Sequence, residues 1–145
     1  MNATRSDSLD TADSPRIIAT PIPEPDRLQF LPRHFGRHFM QVEPAVFGHM
    51  GNLCPSYSGG YWDFFDLSNG GCYIASGRGT YALAAPNGFE ATVDANVGGL
   101  IATLYAFSHL AFKFESVEVF AERFHQLREF ALEHAESRTI LAAID

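Results

Sequence analysis

The sequence predicts an α+β fold in a single domain: a small antiparallel β-meander of about four strands packed with N- and C-terminal helices. Three observations point there. Asn69-Gly70-Gly71 separates two β-prone runs, and Asn-Gly in that setting is a strong hairpin signal, because a two-residue type I′ turn needs positive φ at both central positions. Two more turn signals, Gly77-Arg78-Gly79 and Pro86-Asn87-Gly88, join further short strand-like runs. On either side of this region the apolar residues recur at helical spacing. Helices, then strands, then helices is the order of an α+β domain.

Each element follows in turn. Residues 1–25 are rich in Ser, Asp, Thr and Pro and end in TPIPEP. Repeated prolines block helix and sheet ladders, so this stretch reads as a flexible tail ahead of a domain at 26–145. In DRLQFLPRHFGRHF, the residues Leu28, Phe30, Leu31, Phe35 and Phe39 suit a short helix, with Pro32 in its first turn and Gly36 near its end. Glu43-Pro44 opens a second helix, with Val46, Phe47, Met50 and Leu53 on one face and Gly48 and Gly51 weakening it. Strands are expected at 60–67, 72–76, in TYALAA and in FEATV. Asp94 is a good N-cap for a helix running to about Phe112. That helix is apolar almost all round and should be buried. Gly98 and Gly99 inside it cost about 1 kcal/mol each relative to Ala. They imply close approach of another backbone or a later helix start. Ser116 suits the cap of the last long helix, with Val117, Phe120, Phe124, Leu127 and Ala131 inward, and Ser137 to Asp145 forms a final short helix.

Composition bounds the function. With 145 residues, 46% of them hydrophobic and 19% charged, the chain has the makings of one soluble globular domain. The first residues lack the apolar centre of a signal peptide. The most apolar stretch, Val97 to Phe112, is interrupted by polar residues and is shorter than the ~20 residues of a membrane span. A cytoplasmic protein with no membrane segment is the expectation. The net charge is −7, and after residue 26 twelve acids are interleaved with eight bases. This is no basic footprint for nucleic acid. Nor does it approach the charge density of duplex DNA, about one charge per 1.7 Å of axis, so an acidic DNA mimic is disfavoured too.

The residues that could carry chemistry are few. His34 and His38 stand four apart, a spacing that can place two imidazoles on one helix face, but Gly36 lies between them and no carboxylate completes an HExxH pattern. Cys54 and Cys72 form no CxxC pair and read as reduced, partly buried thiols. The glycine-rich turns lack phosphate-loop spacing. Asp63 and Asp66 fall on opposite faces of a strand. No metal or other cofactor is implied. Tyr57, Tyr61, Trp62, Phe64, Phe65 and Tyr73 are the sharper feature. Strand alternation sends aromatics to both faces, as core packing requires, and the exposed members make a protein-contact patch the alternative.

Four blocks in order then carry a family resemblance. FLPRHFG at Phe30–Gly36 comes first. Leu53-Cys54, Tyr57, Gly59, Tyr61-Trp62, Leu67-Ser68 and Gly70-Gly71 form the second block, and Asn87-Gly88-Phe89 followed by GLIATLYAF the third. His125, Leu127-Arg128, Phe130-Ala131, His134, Glu136 and Ala143–Asp145 close the chain. Together they resemble the antirestriction family of the ArdB and KlcA type over roughly residues 27–145. Three positions depart from its pattern: Cys72 where an aromatic is usual, Ser76 where Pro is usual, and Asn96 where Asp is expected. The resemblance implies protection of incoming plasmid or phage DNA from the host's type I restriction systems. It implies a non-enzymatic inhibitor. We expect such an inhibitor to act through contacts with the restriction machinery or an associated host protein, as a monomer without direct nucleic-acid binding. The expected contact residues are Tyr57, Tyr61, Trp62, Asn69, Tyr73 and Asp145. At Asp145 a side-chain and a terminal carboxylate coincide. Two other classes stay open at this point: a small hydrolase or metal-dependent enzyme using His34, His38 or a Cys–His pair, and a plasmid-maintenance adaptor for a different host protein.

Overall fold

A computed structural model describes residues 16–145. Residues 1–15, most of the expected tail, lie outside it. The α+β class holds, with five α-helices and five strands among the described residues. The strands, however, do not make one meander. They form a three-stranded sheet and a separate hairpin.

The first strand, β1 (Ala19–Pro21), pairs antiparallel with β2 (Trp62–Leu67). This corrects the expected tail, which ran to residue 25. The ladder explains why prolines do not prevent it. Ser68 N–H donates to the Ile18 carbonyl and Ile22 N–H to the Phe64 carbonyl, so the bonds fall on even-numbered residues. Pro21 and Pro23 sit at the intervening positions of an edge strand, where no donor is needed. After a 3₁₀ turn at Glu24–Asp26, α1 (Arg27–Phe35) buries Phe30, Leu31, His34 and Phe35. Pro32 lies inside α1 and not in its first turn. The carbonyl it leaves free belongs to Leu28, on the solvent side of the helix. Gly36 ends α1 at φ 55°, as expected.

A 3₁₀ segment (Gly36–Gln41) leads into α2 (Val42–Leu53), which buries Val42, Val46, Met50 and Leu53. Strand β2 then turns into β3 (Cys72–Ser76). The turn differs from the type I′ expected. Among the described residues only glycines have positive φ, with Gly70 at 95°. Gly70 N–H donates to the Leu67 carbonyl at 3.0 Å and Leu67 N–H to the Gly71 carbonyl at 2.9 Å. This is a three-residue loop in which one glycine takes the left-handed position.

The second hairpin pairs β4 (Thr80–Ala84) with β5 (Glu90–Asp94) and shares no ladder with β3. The reason lies in α3 (Ala95–Lys113), the central helix, whose N-cap is Asp94: its side chain accepts from Val97 N–H at 2.8 Å. The outer edge of β3 is occupied by α3. Thr103 Oγ1 accepts from Ile74 N–H at 3.4 Å and lies 3.2 Å from the Ile74 carbonyl oxygen. A Cβ added to Gly99 would stand 2.4 Å from Ala75 Cβ, so the expected backbone approach is real. A Cβ on Gly98 would meet the Tyr81 ring of β4 at 2.8 Å. The helix thus takes the place a fourth strand would have had.

Two helices finish the chain, α4 (Glu118–Glu133) and α5 (Ser137–Ile144). The N-cap of α4 is Val117, without a side-chain cap bond, where Ser116 was expected. Most of α3 is buried: α2, α4, α5 and β3 pack around it, and Leu100, Ile101, Leu104 and Phe107 are among the least exposed residues. It is long and apolar enough to cross a membrane by composition alone, but here those side chains form the core.

Candidate functional site

The hairpin tip is fixed from below by α4. Asn69 Nδ2 donates to the Gln126 carbonyl at 2.9 Å and to Glu129 Oε1 at 3.3 Å, and its Oδ1 accepts from Gly71 N–H at 3.0 Å. Gln126 returns a bond to the Asn69 carbonyl at 3.1 Å. Arg123, one turn earlier, bonds Gln126 Oε1 and the His34 carbonyl, both at 3.0 Å. His34 Nε2 meets Asp66 Oδ1 at 2.6 Å, and Arg33 reaches the other carboxylate oxygen at 3.0 Å. Burial holds the His34 imidazole below its usual pKa, with Asp66 opposing. Burial would raise Asp66, yet the bonds from His34 and Arg33 outweigh it and hold the carboxyl below its usual range. A neutral imidazole donating to a carboxylate satisfies both directions. The network joins α1, the hairpin and α4.

The six contact residues expected from the sequence fall in different settings. Trp62 and Tyr73 are 3% exposed. Trp62 packs edge-on against Phe47 and half-buried Tyr57. Tyr73 stacks between Phe65 and Phe130, and its hydroxyl donates to Asn96 Oδ1 at 2.9 Å. Asn96, the departure from the family pattern, thus still accepts a hydrogen bond. Tyr61 is 62% exposed; its hydroxyl donates to Glu24 at 2.7 Å and its ring faces the Arg27 guanidinium at 4.7 Å. Tyr61 and Asn69 flank opposite ends of the 6-residue β2, a strand about 20 Å long at ~3.3 Å per residue. Asp145 is exposed at the end of α5. That end is pinned: Tyr105 donates to the Ala143 carbonyl at 2.6 Å and Asn87 to the Ala142 carbonyl at 2.9 Å.

His34 and His38 do not share a helix face. Helix α1 stops between them, and the His38 ring lies against Phe114 and Phe120 while His34 meets Asp66. Both cysteines are buried. Burial pushes the Cys72 thiol far up, away from the thiolate a nucleophile needs.

Sequence reasoning did not find a groove of about 620 Å³ between α1, the 3₁₀ segment and α2. Leu28, Leu31, Pro32, Phe39, Met40 and Phe47 line it, with Arg27 and Glu43 as its charged members. Leu28 is 90% exposed and Met40 72%. Arg27 is clamped between Tyr61 and Phe64, donates to the Trp62 carbonyl at 2.8 Å, and has its buried Nη1 3.8 Å from Asp63 Oδ1, an ion pair without a hydrogen bond. One signal was available. Leu28 lies off the inward stripe of Phe30, Leu31, His34 and Phe35, and an apolar residue there is left uncovered by the other described residues.

The family model for antirestriction protein matches residues 55–145, from just before Tyr57 to the end. The chain belongs to the antirestriction protein family. An antirestriction protein KlcA of Escherichia coli is 41% identical over 138 residues, covering 89% of this chain and 94% of that one. A second KlcA of Escherichia coli is 36% identical over 143 residues, covering 94% of this chain and all of its own length. A solved structure from work on KlcA and ArdB superposes with a TM-score of 0.85 at 36% identity, over 94% of this chain and 100% of that one. Those two proteins are described as showing a novel fold and antirestriction activity against type I DNA restriction systems in vivo but not in vitro.

Proposed function

We propose that this protein shields incoming plasmid or phage DNA from a host type I restriction–modification system by binding a protein of that machinery or one associated with it, without catalysis and without imitating DNA. The observation that carries this reading is the near full-length likeness to the KlcA and ArdB structure, whose proteins act against type I systems in vivo but not in vitro. An activity seen only in the cell suits an inhibitor that needs a cellular partner. The interleaved charges of residues 27–145 fit neither phosphate binding nor a mimic of duplex DNA. The groove of Leu28 and Met40 offers the apolar surface that protein contacts use, and Tyr61 and Asp145 remain exposed contacts beyond it. The protein would act as a monomer in the cytoplasm, where restriction takes place.

The test is the plating efficiency of unmodified phage on a type I restricting host with and without this chain. Raised plating is expected; equal plating overturns the reading. Leu28→Asp with Met40→Asp, Tyr61→Ala and Asp145→Ala, each with an unchanged Tm, then show which surface matters. The groove pair is expected to lose protection.

A further inference from the structure

A second location, unrelated to antirestriction, has the makings of a metal site. His49 of α2 and His109 of α3 face each other across the helix pair, ring centres 5.4 Å apart and planes at 64°. We propose that these two imidazoles chelate one divalent transition ion of the copper, nickel or zinc class and so staple α2 to α3.

The spacing of the two rings suits one shared ion. Zinc lies 2.0–2.1 Å from an imidazole nitrogen, which puts it about 3.2 Å from the ring centre. Two such rings at a tetrahedral angle have centres about 5.2 Å apart. The 5.4 Å observed is within a few tenths of that. Among the described residues no other two imidazoles are in ring contact.

The site is also held and open. Tyr105, one turn before His109, stacks on His49 at 5.8 Å and 25°, and its hydroxyl is fixed on the Ala143 carbonyl. His49 is half-buried and His109 exposed, so one ligand is set by packing while the other can adjust. Both border a solvent-open depression of about 390 Å³ that Asn52 and Lys113 also line. A Cβ on neighbouring Gly48 would meet nothing within 4 Å, which leaves the approach clear. No group of three His, Cys, Asp or Glu side chains gathers among the described residues. The site is therefore a two-imidazole chelate with its other positions left to water. Lys113 adds a cation that weakens it. Neutral nitrogen donors favour copper and nickel over magnesium or manganese.

The test uses the full chain, purified without a histidine tag and stripped of metal, titrated with nickel and zinc ions in a calorimeter. One equivalent is expected, with a rise in Tm, because the ion binds the folded helix pair. His109→Ala sits at an exposed position and should fold normally while weakening binding at least about tenfold. His125→Ala, also exposed, should bind as the parent does. No saturable binding to the parent, equal binding to His109→Ala, or an equal response to magnesium would each overturn the proposal.

Discussion

At Gly99 a single missing methyl group decides whether two elements can meet. An alanine there would place its Cβ 2.4 Å from Ala75 Cβ and 2.5 Å from Ala75 Cα, and neither the strand nor the helix can give way freely. Gly99→Ala is expected to lower stability by about 1–3 kcal/mol, the usual range for overpacking, and so the urea midpoint without changing the slope. Gly51 supplies the opposite sign. It also lies in a helix, but an added Cβ meets nothing within 4 Å. Gly51→Ala should raise stability by about 0.5–1 kcal/mol through helix propensity alone. If both substitutions shift the midpoint the same way, the close approach of α3 to β3 is not what fixes glycine at 99. The sequence raises this question at Gly98 and Gly99 through their cost in an otherwise good helix. It does not say which backbone comes close, because that is a contact over 24 positions.

Elements whose signals are local were legible, and those that depend on a partner were not. Helix α3 starts at Asp94, and α1 ends at Gly36, where capping chemistry alone puts them. The two hairpins come from turn residues and alternation. Their failure to join into one meander is a competition for the free edge of β3, which Thr103 wins for α3. Strand β1 was hidden for a similar reason: prolines at 21 and 23 are tolerated only in the particular register that the ladder adopts. Thr103→Val keeps the shape and removes the hydroxyl that Ile74 N–H uses. It should cost about 1–3 kcal/mol, the penalty for a buried donor left unmade, and speed hydrogen exchange at Ile74. Asn69→Ala tests the other attachment of the sheet. It removes the amide that ties the hairpin tip to Gln126 and Glu129, and should loosen exchange at residues 68–72 before it affects α3. Exchange that accelerates uniformly across the chain would sink that idea of a local tie.

For the molecule as a whole, the candidate site was legible only as far as composition and pattern reach. Mixed charges spoke against nucleic acid, and the ordered blocks gave the family. The groove was not legible, because it is shaped by how α1, the 3₁₀ segment and α2 turn about one another. The same holds for the polar network that unites them with the sheet and α4, whose members are far apart in sequence. His34 of that network and, apart from it, His49 of α2 make folding sensitive to acid. His34 and His49 are both held below the ordinary histidine value of about 6.5, so below that pH the unfolded chain binds protons that the folded one refuses. The contribution of these two imidazoles should therefore be constant above about pH 7 and fall as pH drops through 6.5 towards the folded values. Asp66 adds a second loss at lower pH, as its carboxylate, held below the usual range in the folded state, is protonated and releases His34 and Arg33. His34→Gln keeps a donor for Asp66 but cannot titrate. Urea midpoints for the parent and this variant at pH 7.5, 6.5 and 5.5 check the argument. The parent should lose stability over that range and the variant should lose less, with the remainder traced by adding His49→Gln. An equal decline in parent and variant would mean that the acid sensitivity arises elsewhere than at the His34–Asp66 junction.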